Sequence, residues 1–86
     1  MAEEAIIEIG YISHFFAKIG VAVLNLSLPL AVGDHILVKG PCTDFEQIVE
    51  SMQIERKTLQ RAEGGQSIGL KVNQPVKEKD VVYKKL

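Results

Sequence analysis

Apolar and polar positions alternate in short runs along this chain, and Gly or Pro separates most of the runs. A period of two is the mark of half-buried β-strands. Ala5 to Phe16 is dense in β-branched and aromatic residues (Ile6, Ile7, Ile9, Tyr11, Ile12, Phe15, Phe16) and predicts a long first strand bent at Gly10. Lys18-Ile19-Gly20 predicts a turn and Val21 to Leu26 a second strand. Ser27 to Leu30 is a connector, because Pro29 has no N–H to give to a ladder. In Leu30-Ala31-Val32-Gly33-Asp34, Gly33 accepts a positive φ and Asp34 can bond the turn backbone; the turn feeds a third strand from Asp34 to Lys39, closed by Gly40-Pro41. Asp44 to Arg56 fits two periods. Phe45, Gln47 and Val49 alternate, with Ile48, Met52 and Ile54 following a shift of face at Ser51; Phe45, Ile48, Val49 and Met52 also fit one face of a helix. Leu59 and Ala62 are isolated apolar positions, Gly64-Gly65 a turn, Ser67 to Val72 a strand with Ile68, Leu70 and Val72 inward, and Val81 to Tyr83 a short last strand. The expected core is Ile9, Val21, Val23, Ile36, Val38, Val49, Ile54, Ile68, Leu70 and Val82. Several short strands between Gly and Pro turns predict an all-β barrel or sandwich.

Bulk properties narrow this picture. Eighty-six residues make one domain, 1–86, and 47% hydrophobic with 24% charged residues is the composition of a folded chain. A single cysteine, Cys42, excludes an internal disulfide and fits a reducing compartment. Met1-Ala2-Glu3-Glu4 lacks the basic start of a signal peptide. Ile19 to Gly33 is interrupted by Asn25, Ser27 and Pro29, too polar to span a membrane. A cytoplasmic location is the expectation. Residues 1–55 hold two lysines against eight acids, and residues 56–86 hold eight basic residues against three acids. Linear charge blocks of this kind mix when strands interleave, so a single basic face does not follow from them.

Three ordered segments carry a resemblance. They are Ile19-Gly20-Val21-Ala22-Val23 leading to Leu30-Ala31-Val32-Gly33-Asp34, then Val49-Glu50-Ser51-Met52-Gln53-Ile54-Glu55-Arg56-Lys57, then Gly65-Gln66-Ser67-Ile68-Gly69-Leu70. Together, over roughly residues 9–85, they resemble the second domain of translation elongation factors, and also a barrel at the C-terminal end of collagenase-like peptidases. The resemblance implies a small closed antiparallel β-barrel of six or seven strands and makes Asp44 to Arg56 a strand. It implies a ligand-binding face built from Lys18, Gly20, Gln53, Gly65 and Ser67, where Gln53 stands for a family glutamate and Ser67 for a family asparagine; Arg56 and Lys57 join the candidate site as basic side chains suited to an RNA backbone. The implied function is a non-catalytic binding module associated with translation, its partner a tRNA, the ribosome or a protein. The alternative is a protein-interaction module docking on a collagenase-like peptidase. No phosphate-binding Gly-rich loop is present, so GTP binding is not expected, nor is binding to DNA or a membrane.

The remaining constellations are sparse. His14, His35 and Cys42 are the soft metal ligands, without the paired spacing of a zinc site. Cys42 with His35 and Asp44 reads on paper as nucleophile, base and orienting group, but Cys42 follows Pro41 in a turn with nothing to lower its pKa. Tyr11, Phe15, Phe16 and Phe45 are either core or a stacking platform, with Phe16 the best exposed candidate. Arg56, Lys57, Arg61 and Lys71, with the C-terminal lysines, would follow a phosphate backbone if they shared a face. No catalytic residue, metal or cofactor is expected.

Overall fold

The computed structural model describes residues 5–86; the acidic N-terminal tetrapeptide read above lies outside them. The runs of alternating residues become ten strands: β1 Ile6–Phe16, β2 Val21–Leu26, β3 Leu30–Ala31, β4 His35–Gly40, β5 Thr43–Ile48, β6 Met52–Ile54, β7 Lys57–Leu59, β8 Arg61–Ala62, β9 Ser67–Lys71 and β10 Val81–Lys85. Eight form one antiparallel sheet in the order β5-β4-β10-β1-β2-β9-β6-β7, and β3 pairs with β8 in a small second sheet. Asp44 to Arg56 is extended and not helical, but it is two strands, because the chain breaks after β5 and re-enters as β6. Strands β3, β7 and β8 were not foreseen; they are two or three residues long and too short to show a period.

β1 is the axis of the large sheet. Its first half pairs with β10 (Ile6↔Lys85 to Tyr11↔Val81) and its second half with β2 (Gly10↔Leu26 to Phe16↔Val21). A register shift between Glu8 and Gly10 and another between Ile12 and His14 bend it, as bulges do. Gly10 sits at the crossover of the two pairings and packs so closely on the Asn25 carbonyl that a Cβ has no room.

The core lies on the inner face: Ile9, Ile12, Leu24, Ile36, Val38, Met52, Ile68, Leu70 and Val82 are all at most 1% exposed. Val21 and Val23 are corrected. They are half-buried on the outer face, while Ala22, Leu24 and Leu26 point inward. Both faces of β2 are apolar, so alternation alone does not say which one turns in. Ile54 is only half-buried, packed at the rim of the core. Of the aromatics, Phe15 and Phe45 pack against the core, whereas Tyr11 and Phe16 are 48% and 47% exposed.

Two buried polar side chains fix long-range geometry. Gln47 on β5 donates from Nε2 to the Lys71 carbonyl (2.9 Å) and accepts from the Asn73 N–H at Oε1 (2.8 Å). It thereby ties one end of the strand order to the exit of β9. Asp80 is 1% exposed; its carboxylate accepts the Lys77 N–H at 2.8 Å and packs on Gly40. The charge blocks interleave: Lys84 pairs with Asp34 at 3.8 Å and Lys85 with Glu46 at 3.0 Å. Among the described residues no helix is long and apolar enough to cross a membrane.

The face assignment of β2 has a direct check. Leu24→Ala is expected to lower unfolding free energy by about 2–5 kcal/mol, the range for a packed core leucine. Val23→Ala is expected to cost less than half of that in the same urea titration. Equal losses would contradict the assignment.

Candidate functional site

The outer face of β1, β2 and β9 carries the most organised polar arrangement of the chain. In-register partners share a face, so Tyr11, Asn25 and Ser67 form a row across three strands. Asn25 Nδ2 donates to Tyr11 Oη at 2.9 Å, and Ser67 Oγ donates to Asn25 Oδ1 at 2.6 Å. The central amide is held from both sides, so its orientation is fixed. This leaves the Tyr11 hydroxyl proton, the second Asn25 N–H and the Ser67 lone pairs for a ligand. The row opens onto a groove of about 520 Å3 lined by Glu8, Gly10, Tyr11, Asn25, Gln66 and Ser67. Gly65 borders it with φ 89°, and its N–H is held by the Leu26 carbonyl at 2.7 Å. That left-handed turn brings β9 back beside the end of β2.

The residues expected to bind a ligand are brought together only in part. Gly65 and Ser67 lie at this groove. Gln53 stands one strand further, paired with Gly69, where its side chain occupies the space a Cβ would enter. Lys18 and Gly20 belong to the β1–β2 turn, at the opposite end of β2, about 20 Å away for six residues at 3.3 Å each. Gly20 there borders a smaller cleft with Phe15, Val72 and Pro75. Arg56 and Lys57 lie at the β6–β7 turn, where Glu55 and Arg56 hold positive φ of 49° and 68°. Arg61 pairs with Glu63 at 3.2 Å in the small sheet, and Lys71 ends β9. The groove residues that sequence reasoning missed as a site are Glu8, Tyr11, Asn25 and Gln66. The available signal was Asn25, a single amide ending the otherwise apolar Val21, Val23 face.

The other constellations are dispersed. His14 Nδ1 lies 3.4 Å from Glu78 and its ring meets Phe16 edge-on at 4.4 Å. His35 begins β4, while exposed Cys42 lies in the turn that follows that strand, so the two do not meet as nucleophile and base. Among the described residues no three His, Cys, Asp or Glu side chains gather around a metal-sized space. At the groove, the Ser67 proton is committed to an amide oxygen, not to a base. Such an arrangement orients a ligand by directional hydrogen bonds.

No family model matches the chain. Over 78 residues, 90% of its length, it is 42% identical to an uncharacterized protease of Methanocaldococcus jannaschii, and the match makes up 19% of that protein. Over 80 residues it is 34% identical to a collagenase of Porphyromonas gingivalis, again 19% of the longer protein. The C-terminal domain of a Geobacillus thermoleovorans protein described as a U32 peptidase superposes with a TM-score of 0.83, covering 88% of this chain and 89% of that domain at 23% identity, which shows a shared fold. The chain therefore spans about a fifth of the curated relatives it matches.

These findings correct the translation reading. The similar sequences are proteases and collagenases, and nothing in them supports an elongation-factor domain or a tRNA, ribosome or RNA partner. The three motifs are strand-and-turn signals of a shared kind of β-fold, and such signals do not carry function.

One electrostatic cluster on the outer face is directly measurable. The Lys85 ammonium hydrogen-bonds Glu46 at 3.0 Å and His35 lies 3.4 Å from the same carboxylate; Lys85 first, then His35, hold Glu46 below the usual carboxylate range. A depressed carboxyl pKa stabilises the fold above its unfolded value, and the contribution disappears as pH falls through the folded midpoint. Lys85→Met is expected to raise the Glu46 midpoint in an NMR titration of its side-chain carboxyl. An unchanged midpoint would contradict the assignment.

Proposed function

We propose that this chain is a non-catalytic protein-interaction module of the U32, collagenase-like peptidases, and that it docks on the catalytic part of such an enzyme. The observation that carries this reading is that nearly the whole chain matches a segment making up 19% of a protease. The C-terminal U32 domain of the same fold adds a second line of support. The outer-face row of amide and hydroxyl groups, with its proton committed to an amide, supports binding over catalysis. We further infer that the two sheets form one barrel-like wall, with Gln47 bridging the seam between β5 and the end of β9.

The test uses the Methanocaldococcus protease with its matching 78 residues deleted. Immobilised on a sensor, this trimmed protein is expected to capture the present chain, and gelatin exposed to the chain by itself is expected to stay intact. Absence of capture would overturn the docking reading. Gelatin cleavage by the chain would overturn the non-catalytic one.

A further inference from the structure

We propose that the open edge of β1 at Ile6–Glu8 is a strand-addition site, and that its occupant is an extended segment of the peptidase part on which the domain docks. The proposal rests on the docking reading above and locates its contact.

The geometry follows from the offset pairing of β1. β10 covers one edge of β1 from Ile6 to Tyr11, whereas β2 reaches the other edge only from Gly10 onward. β2 leaves at its end: the Ser27 N–H donates to the Ile9 carbonyl at 2.7 Å, and the chain then turns away through Leu28 and Pro29 toward β3. Among the described residues no strand pairs with Ile6–Glu8 on that side. Which backbone groups face the vacancy is fixed by register. The Leu86 N–H donates to the Ala5 carbonyl at 2.9 Å, so Ala5 and Leu86 are a hydrogen-bonded pair of the antiparallel ladder. Hydrogen-bonded and non-hydrogen-bonded pairs alternate, so Ile7↔Lys84 is bonded, while Ile6 turns its N–H and C=O, and Glu8 its N–H, away from β10 and toward the open side.

Two further features make this edge a receptor. Natural sheets blunt exposed edges with charged residues, proline or a covering loop; this one has Glu8 at its end but also presents Ile6 and Ile7, 40% and 38% exposed. The edge also runs into the groove of about 520 Å3, which Glu8 lines together with Tyr11, Asn25 and Ser67. A strand added beside Ile6–Glu8 continues the line of β2. Its main chain meets the Ile6 and Glu8 backbone, and a long side chain on its outer face reaches along the groove toward the free Asn25 N–H and Tyr11 hydroxyl. This is strand addition in the usual division of labour, with backbone bonds giving affinity and a side-chain site giving selectivity.

Size argues for the peptidase over a second copy of this chain. Three strand residues span about 10 Å, far short of the contact a stable specific interface needs, at least about 1,000 Å2 of buried surface. Such an edge works as one element of a wider contact, where the docked partner supplies the segment at high effective concentration.

Glu8→Pro tests this directly. It removes the outward N–H without taking a bond from the β10 ladder, and its ring obstructs the edge. Against the trimmed Methanocaldococcus protease, Glu8→Pro and Asn25→Ala are each expected to weaken capture about tenfold or more, the equivalent of one or two hydrogen bonds. Glu8→Ala, which takes the carboxylate out of the groove but keeps the backbone N–H, is expected to weaken capture clearly less than Glu8→Pro does. If Glu8→Pro does not fold, Ser67→Tyr, which fills the groove from an exposed position, carries the same expectation. Undiminished capture by a folded Glu8→Pro overturns the edge while leaving the docking reading standing, and no capture by the parent overturns docking itself. An equal loss in Glu8→Ala and Glu8→Pro overturns the edge in favour of a charge contact. Self-association of the chain that Glu8→Pro abolishes overturns the peptidase as occupant.

Discussion

The offset pairing of β1 is the constraint on which the rest of the structure depends. Eleven residues are shared between two partners that overlap only around Gly10 and Tyr11. The missing Cβ of Gly10 lets β2 approach at the point where the pairing changes hands. The register shift between Glu8 and Gly10 turns the strand so that Ile9 and Ile12 both reach the core despite their odd spacing, and the one between Ile12 and His14 does the same for Ile12 and Phe15. A bulge shifts the phase of alternation, which is how residues three apart come to face the same way. Among the described residues the same offset leaves a stretch of each edge of β1 without a ladder partner. One of these stretches borders the groove, so the bend that makes the fold also makes the site.

A buried side chain ties β5, at one end of the strand order, to the exit of β9. Gln47 is 5% exposed and bonds the backbone on both sides of Val72, 24 and 26 residues away. A buried amide left unpaired is expensive, so this contact sets the register of β5 against the exit of β9 as well as holding it. Asp80 plays the corresponding part before β10, where its carboxylate accepts the Lys77 N–H and its own carbonyl accepts the Ile12 N–H at 2.7 Å. Both contacts are made by buried polar groups on the inner side of the sheet, apart from the polar row on the outer face.

Much of the fold was legible because burial writes a period of two into the longer strands: Ile36 and Val38, Ile68 and Leu70 were identified correctly as inward. The face of β2 was not, because valines on one side and Ala22, Leu24 and Leu26 on the other are both apolar; Asn25 among the valines marks the outer side. The edge strands β7 and β8 carry Lys57, Thr58 and Arg61, polar residues that show no alternation. The site was half legible. Gly65 and Ser67 were named, but the row they belong to joins residues 14 and 42 positions apart, and only the register of three strands brings those together. The resemblance to a translation-factor domain rests on turn and strand motifs that several β-folds share, and the sequences the chain matches are a protease and a collagenase, over about a fifth of their length.

The proposed contact between this domain and a peptidase runs through the Ile6–Glu8 edge and the adjoining groove. Residue-resolved amide hydrogen exchange, measured with and without the trimmed protease, tests this most directly. The expected result is slowed exchange at the Ile6 and Glu8 amides on docking, with little change at Leu24 and Leu70, which the core already protects. Free exchange at Ile6 and Glu8 in the complex, with new protection confined to the turn around Lys18 and Ile19, would contradict it.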